Sequence, residues 1–286
     1  MNVTPIHTVA VLGAGIMGQG IARVCASAGF KTLLFDINDE LIRKGMAAIE
    51  NSLARDVEKG KLSAKQRLEI EKNIILCRAL QDVKADLVIE AVVENLGVKQ
   101  NLFREIEKAN ALAVLATNTS SLSVTQIASA LTYPGRCVGL HFFNPAHVMK
   151  LVEVIAGSST DPELIPVMIG FSKKLGKIPV TVKDSPGFIV NRVARHYYLE
   201  SLNLLEENVS DVHGIDTLLR SAGFKMGPFE LMDLIGIDTN FSVTSSIYQA
   251  FSEDPKFRPS TIQRQKVDAG HLGRKTGKGF YDYEKN

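Results

Sequence analysis

The sequence predicts an α/β domain with a mostly parallel sheet, followed by a small all-helical domain. Over the first two-thirds of the chain, short and continuously apolar runs alternate with helical patterns, which is typical of parallel strands covered on both faces. A boundary follows near Pro186, because a proline preceded by Ser185 favours the first turn of a new helix. The later segments look helical to about Lys266. We therefore predict domains over residues 1–184 and 185–286.

Short apolar runs form the strands of the predicted sheet. They are Val9–Leu12, Thr32–Phe35, Leu87–Ile89, Ala113–Ala116, Val138–Leu140, Leu151–Ile155 and Ile178–Val182. A charged helical insertion, at about residues 39–73, separates the second run from the third. It comprises a helix from Asp39 to Lys61 and a second helix, which Ser63 and Gln66 begin with capping-box spacing. Its lysines favour a solvated face, and a surface for a polyanionic ligand is the alternative.

The predicted helical domain opens with a helix whose apolar surface is broad, which implies burial on more than one side. Asn191 lies more than one turn inside this helix, if the helix starts at Pro186. Asparagine has below-average helix propensity, so either a specific partner or an exposed surface position explains it. Further helices are predicted over residues 215–222 and around 241–251.

Composition gives no reason to expect nucleic acid or a membrane as a partner. The chain has 33 basic and 31 acidic residues, for a formal net charge of +2. Its cysteines, Cys25, Cys77 and Cys137, are scattered without metal-ligand spacing, which favours a reducing compartment and no metal site. No apolar run is long enough to span a bilayer, and the first strand begins near Val9, which leaves no room for a targeting peptide. We expect a soluble, cytoplasmic protein.

A glycine-rich motif follows the first strand and opens a helix. Its residues are Gly13, Ala14, Gly15, Ile16, Met17 and Gly18. In this context the three glycines permit a tight turn, a close approach of pyrophosphate and the packing of helix on strand, which predicts a Rossmann-type dinucleotide site. A structural turn, or a site for FAD or another adenine nucleotide, is the alternative. Asp36 ends the next strand and would accept hydrogen bonds from both ribose hydroxyls, so NAD is favoured over NADP.

Polar residues follow two later strands, at the edge of the sheet where ligands of α/β proteins gather. Asn118-Thr-Ser-Ser121 follows one strand and His141 ends the next. Histidine is a natural general base, and a structural, hydrogen-bonded histidine is the alternative. Glu153, within an apolar strand, is a candidate to orient the imidazole and stabilise its charged form; an exposed strand position is the alternative.

Several short motifs follow one another along the chain. They are Gly13–Gly18, Asn118–Ser121, His141–Pro145, Met149–Val154, Asp184–Arg192, Met226–Leu231 and Gly273–Tyr281. Together they cover essentially the whole sequence and resemble the L-3-hydroxyacyl-CoA dehydrogenases, most of all the bacterial 3-hydroxybutyryl-CoA dehydrogenases. The resemblance implies that the chain uses NAD to oxidise the 3-hydroxyl of an acyl-coenzyme A thioester, or catalyses the reverse reduction.

The resemblance also implies roles for residues in the chemistry. His141 would take the proton of the 3-hydroxyl as hydride leaves C3 for the nicotinamide, and Glu153 would orient His141. Ser120 and Asn191 would hydrogen-bond the oxygens of the substrate. The family pairs through its helical domain, so we expect a homodimer formed in the same way.

Five further positions match ligand contacts of the family. Glu94, Lys99 and Lys275 would contact NAD. Ser52 and Lys59, on the charged insertion, would contact coenzyme A, which favours the polyanion surface over the merely solvated face. One departure is His147, which stands where relatives commonly have proline and bears on the local loop and the fit of the substrate.

Three alternatives stay open at this point. The first is an enzyme of the same architecture that acts on 3-hydroxyadipyl-CoA or on a hydroxy acid without coenzyme A, such as gulonate. The second is a non-catalytic relative comparable to the crystallins. The third is a fragment of a multifunctional fatty-acid oxidation protein, whereas a chain that ends just after Tyr281 suggests a stand-alone enzyme.

Overall fold

The computed structural model describes residues 5–283. The chain divides into two compact units, Met1–Ser185 and Pro186–Asn286. The described part of the first unit contains an eight-stranded sheet and flanking helices, and that of the second is helical. The predicted fold class, a mostly parallel Rossmann-type domain followed by a helical one, is confirmed.

The sheet of the first unit is parallel except at one strand pair. Its strands are β1 Thr8–Leu12, β2 Lys31–Phe35, β3 Ile74–Cys77, β4 Leu87–Glu90, β5 Val114–Thr117, β6 Cys137–Phe142, β7 Leu151–Ala156 and β8 Ile178–Lys183. Their order is β3-β2-β1-β4-β5-β6-β7-β8, and only β7 runs antiparallel to its neighbour β6. The strand β3 was not among the predicted runs, because only the two ends of this short edge strand are buried.

Six α-helices accompany this sheet in the described part of the first unit. They are α1 Ile16–Ser27, α2 Asp39–Glu58, α3 Ala64–Lys72, α4 Leu96–Ala109, α5 Val124–Ala128 and α6 Leu164–Lys174. The charged insertion is the pair α2 and α3. Ser63 and Gln66 form the predicted capping box, in which each side chain bonds the other residue's main-chain N–H.

The described part of the second unit packs five α-helices around an apolar cluster. They are α7 Val190–Glu206, α8 Val212–Ser221, α9 Pro228–Ile235, α10 Ile237–Ala250 and α11 Thr261–Asp268. Leu202, Phe229 and Met232 are fully buried at its centre. The segment after α11 is held there by buried Asp233, whose carboxylate accepts hydrogen bonds from the amides of Phe280 and Tyr281.

The predicted start of α7 is wrong by one turn. Gly187 and Phe188 have φ values of +72° and +50°, which are left-handed and interrupt a right-handed helix. The helix therefore begins at Val190, not at Pro186, and Asn191 is its second residue instead of lying more than a turn inside it. Gly187 suits this turn, because a Cβ there would lie 2.6 Å from Cδ1 of Ile247.

The three cysteines are free thiols inside the first unit. Burial raises the pKa of Cys25 to about 12 and raises that of Cys137 as well, so both stay protonated and pack as small apolar groups. Among residues 5–283, no helix combines the length and apolar character needed to cross a bilayer.

Candidate active site

The glycine turn between β1 and α1 has the geometry of a phosphate-binding loop. Gly13 has a φ of +102°, and a Cβ there would lie 2.6 Å from the main-chain oxygen of Ala91. A Cβ on Gly18 would lie 1.7 Å from the oxygen of Gly13, so only glycine allows the helix to pack on the turn. By contrast, a Cβ on Gly15 would have no neighbour within 4 Å. The backbone is open at Gly15, the N-cap of α1, where a pyrophosphate would approach.

Asp36 ties this turn to the end of β2. Its Oδ2 accepts a hydrogen bond from the amide of Ala14 at 2.6 Å, and its Oδ1 accepts one from the amide of Ile37 at 2.7 Å. The carboxylate is thereby fixed beside the glycine turn, at the place where Rossmann-type domains in general hold an adenosine ribose. Ile16 is largely exposed and Met17 is packed against the core.

Lys99 lies in a buried ionic network, which we call the Lys99 network: Lys99, Glu90 and Glu94. The Lys99 side chain is 1% exposed, and its Nζ lies 2.6 Å from Oε1 of Glu90 and 3.2 Å from Oε2 of Glu94. Glu90 is equally buried and also accepts a hydrogen bond from Oγ1 of Thr117 at 2.7 Å. Both carboxylates thus enclose the ammonium. A direct contact of Lys99 with a cofactor, as predicted, does not fit this placement.

Glu94 anchors the loop that carries Ser120. Its Oε1 accepts hydrogen bonds from Oγ1 of Thr119 at 2.6 Å and from the amides of Ser120 and Ser121 at 2.9 and 3.0 Å. Burial acts to raise the pKa of Glu94, but Lys99 and these donors outweigh it and hold the pKa below its usual value. Glu94 therefore stays ionised and keeps the Ser120 loop in place.

His141 and Glu153 form a buried pair across two strands. They are direct partners in the antiparallel register of β6 and β7, and Nδ1 of His141 lies 2.8 Å from Oε2 of Glu153. Their exposed fractions are 5% and 1%, which rules out the exposed strand position for Glu153. In the tautomer in which Nδ1 donates to the carboxylate, Nε2 is the nitrogen of the imidazole that can accept a proton.

Asn118 joins the ends of β5 and β6, a role that the sequence did not reveal. Its side-chain Oδ1 accepts a hydrogen bond from the main-chain N–H of Phe142 at 2.8 Å. Its own main-chain N–H donates to the main-chain oxygen of Glu90. The two parallel strands therefore present Ser120 and His141 at the same edge of the sheet. An asparagine directly after a buried strand was the available signal.

A small cleft of about 150 Å³ lies between α1, α2 and the segment after β6. Ser52 and His147 line it, together with Arg23, whose guanidinium bonds Oγ of Ser52 and pairs with Asp56. Lys59 follows α2 as its exposed C-cap. The charged insertion therefore presents a polar, partly basic surface beside α1, the helix that follows the glycine turn.

His147 lies at the rim of this cleft. Partial burial and then the Arg23 guanidinium lower the pKa of His147, while Asp56 acts in the opposite sense. Lys177 holds the segment 146–149 around His147 in place, because its Nζ donates to the main-chain oxygens of Ala146 and Met149. This buried lysine was not singled out in the sequence.

Two predicted contacts lie in the second unit. Asn191 is in the first turn of α7, and its main-chain oxygen accepts a hydrogen bond from Nε of Arg195 at 3.1 Å. Nζ of Lys275 lies 2.6 and 2.7 Å from the two carboxylate oxygens of Asp238. Among the described residues, no group of His, Cys, Asp and Glu side chains is arranged to hold a metal ion.

Comparison with known proteins identifies the family. The model of the 3-hydroxyacyl-CoA dehydrogenase NAD-binding domain matches residues 8–185, and that of the 3-hydroxyacyl-CoA dehydrogenase C-terminal domain matches residues 187–283. The chain belongs to the 3-hydroxyacyl-CoA dehydrogenase family. The glycine turn and the His141–Glu153 pair thus lie in an NAD-binding domain of this family.

Individual members of the 3-hydroxyacyl-CoA dehydrogenase family are similar over nearly the whole chain. A 3-hydroxyadipyl-CoA dehydrogenase of Escherichia coli is 47% identical over 97% of the chain, which covers 59% of that relative. The human mitochondrial hydroxyacyl-coenzyme A dehydrogenase is 41% identical over 98% of the chain and 92% of its own length. The crystal structure of (S)-3-hydroxybutyryl-CoA dehydrogenase from Ralstonia eutropha matches with a TM-score of 0.93 and 39% identity, over 98% of this chain and 99% of that one. The chain thus spans about three fifths of the Escherichia coli relative.

Proposed function

We propose that the chain oxidises short-chain (S)-3-hydroxyacyl-CoA thioesters to 3-ketoacyl-CoA with NAD, and catalyses the reverse reduction. The observation that carries this proposal is the buried His141–Glu153 pair, with 2.8 Å between Nδ1 and Oε2, at the end of a strand in a domain of this family. Dehydrogenation of an alcohol needs a base for the hydroxyl proton, and an imidazole backed by a carboxylate is suited to that role.

The proposed reaction separates one proton and one hydride. NAD, when bound, supplies the acceptor for the hydride that leaves C3. Nε2 of His141 takes the proton of the 3-hydroxyl, so that the C3–O bond becomes a carbonyl as the C3–H bond breaks. Glu153 stabilises the resulting imidazolium, and in the reverse direction His141 returns the proton to the oxygen.

The residues around the glycine turn fit NAD. The open backbone at Gly15 would receive the pyrophosphate at the start of α1, and Asp36 would accept the ribose hydroxyls and repel a 2′-phosphate. Lys275 stays a proposed contact. For Lys99 we propose a supporting role instead, because its charge holds Glu94 and thereby the Ser120 loop.

On the substrate side, we propose that Ser120 and Asn191 hydrogen-bond the oxygens of the thioester and that Ser52 and Lys59 contact coenzyme A. The surface of α2 supports the second assignment, since Ser52 lines a cleft beside the Arg23 guanidinium and Lys59 is exposed. The relatives named as 3-hydroxybutyryl-CoA and 3-hydroxyadipyl-CoA dehydrogenases support a thioester with a short acyl chain.

Nicotinamide absorbance tests this proposal directly. We expect NADH consumption with acetoacetyl-CoA and other short 3-ketoacyl-CoAs, weak activity with NADPH, and no comparable activity with the free 3-keto acids. Equal turnover of free acids would reject the coenzyme A thioester as the substrate. Absence of activity with every thioester would reject the proposed function.

We also propose a cytoplasmic homodimer that pairs through the helical unit. Val193, Leu218 and Phe224 are exposed apolar side chains of that unit, and burying such side chains in an interface favours association. Light scattering after size-exclusion chromatography measures the mass. Replacing Val193 and Leu218 by lysine is expected to yield a monomer, whereas an unchanged mass would contradict pairing through this surface.

A further inference from the structure

Arg195 is a buried cation whose hydrogen-bond acceptors are all neutral. Its side chain lies on α7 and is 3% exposed. Nε donates to the main-chain oxygen of Asn191 at 3.1 Å, and Nη1 donates to the main-chain oxygen of Asn240 and to Oγ1 of Thr244, each at 2.9 Å. The guanidinium also lies 4.9 Å from the ring centre of Tyr198. Among residues 5–283, no carboxylate pairs with it.

A buried guanidinium without a negative partner is unusual, since arginine is almost never fully buried unless it is paired. Burial lowers the pKa of Arg195 to about 10, yet the group stays protonated at neutral pH. Its Nη2 donates no hydrogen bond within the described chain, and this atom is not completely enclosed by the protein. The free edge of the guanidinium is therefore able to receive an anion.

The position of Arg195 relates that edge to the proposed substrate contact. Asn191 and Arg195 are four residues apart in α7, so they lie on one face of the helix, separated by about 6 Å along its axis. If Asn191 contacts an oxygen near C3 of the acyl chain, a group a few carbons further along that chain lies within reach of the guanidinium.

We propose that Arg195 binds a carboxylate at the far end of the acyl chain, so that the preferred substrates are dicarboxylic acyl-CoA thioesters. This inference rests on the proposed function, which places Asn191 against the substrate. A carboxylate meets the planar guanidinium with charge-assisted hydrogen bonds and supplies the negative charge that the described chain does not. A methyl group at the same place leaves the cation unpaired.

Two thioesters of equal chain length test the assignment, 3-hydroxyadipyl-CoA and 3-hydroxyhexanoyl-CoA, which differ only in a terminal carboxylate or methyl group. The wild type is expected to favour the first in kcat/KM. Arg195→Met should lower kcat/KM for the dicarboxylic thioester about 10- to 100-fold more than kcat/KM for the other thioester. Arg195→Lys should retain part of the preference, since it keeps the charge but not the planar fork.

A matched control removes a different arginine of the same unit. Arg264 is exposed and lies over the ring of Phe241, so Arg264→Met should keep the wild-type ratio of the two kcat/KM values. The ratio within one variant does not depend on the folded fraction, and Arg195→Lys serves if Arg195→Met is not folded. Equal losses for both thioesters, or a wild type without the dicarboxylic preference, would overturn the assignment. If the wild type turns over neither thioester, the proposed function falls as well.

Discussion

Two buried cations of this chain differ in how their charge is compensated. Lys99 in the first unit is enclosed by Glu90 and Glu94, whereas Arg195 in the second bonds only neutral oxygens. The Lys99 network is closed, because the protein itself supplies the opposite charges. The guanidinium of Arg195, by contrast, has no opposite charge beside it within the described chain. The difference teaches that burial alone does not show whether the charge of a cation is compensated within the chain; its bonding partners do.

The largest effect is expected from opening the closed network. Lys99→Met strands two carboxylates, one of them fully buried, and breaking a buried pair in this way destabilises a protein by about 3–5 kcal/mol. Urea denaturation at pH 7 measures the loss, with Arg195→Met as the matched variant. Arg195→Met should lose clearly less, because the acceptors that it leaves are neutral. Equal losses would erase the distinction between the two cations.

The His141–Glu153 pair is also buried, and the charge of its imidazole is compensated by Glu153 within the chain. Unlike the charge of Lys99, that charge changes during the proposed reaction, because His141 takes up and returns a proton. His141→Ala should lower kcat by about 10²–10⁴-fold, because the base acts in the chemical step, while NAD still binds. Steady-state turnover and fluorescence titration with NADH measure the two effects. Turnover like that of the wild type would remove His141 from the mechanism.

A smaller and pH-dependent effect is expected at Glu94. Its folded-state pKa lies below the ordinary value of 4.5, so its contribution to stability is present above pH 4.5 and is lost as the pH falls through the lower, folded-state pKa. Glu94→Gln should therefore be less stable than the wild type at pH 7, and the difference should shrink in acid. Urea midpoints across this pH range test it. A difference that stays constant with pH would contradict the ionised network.

The smallest effect concerns the choice of coenzyme. Asp36→Ala removes the carboxylate that accepts from Ala14 at the glycine turn, so NADH should bind more weakly and NADPH should be discriminated against less. Asp36→Asn, which keeps the shape but not the charge, separates repulsion from hydrogen bonding. The ratio of kcat/KM for NADH and NADPH measures both. An unchanged ratio would show that the ribose assignment is wrong.

The sequence predicted the parts of the site that depend on local order along the chain. The glycine turn is formed by residues adjacent in the sequence. His141 lies at the end of a strand that the apolar run before it predicts. The burial of Glu153 and Lys99 depends on which strands and helices become neighbours, and alternation along one strand does not report this. The start of α7 was misplaced because the positive φ of Phe188 is rare outside glycine.

The pairing of His141 with Glu153 across β6 and β7 has a consequence for how this chain tolerates change. Side chains alternate between the two faces of a sheet, so one residue inserted between Leu151 and Glu153 would carry the carboxylate to the opposite face from His141. A residue inserted in the connection over 143–150 would leave the register of the two strands intact. Loop length can therefore drift in evolution beside the base, while the spacing within β7 cannot.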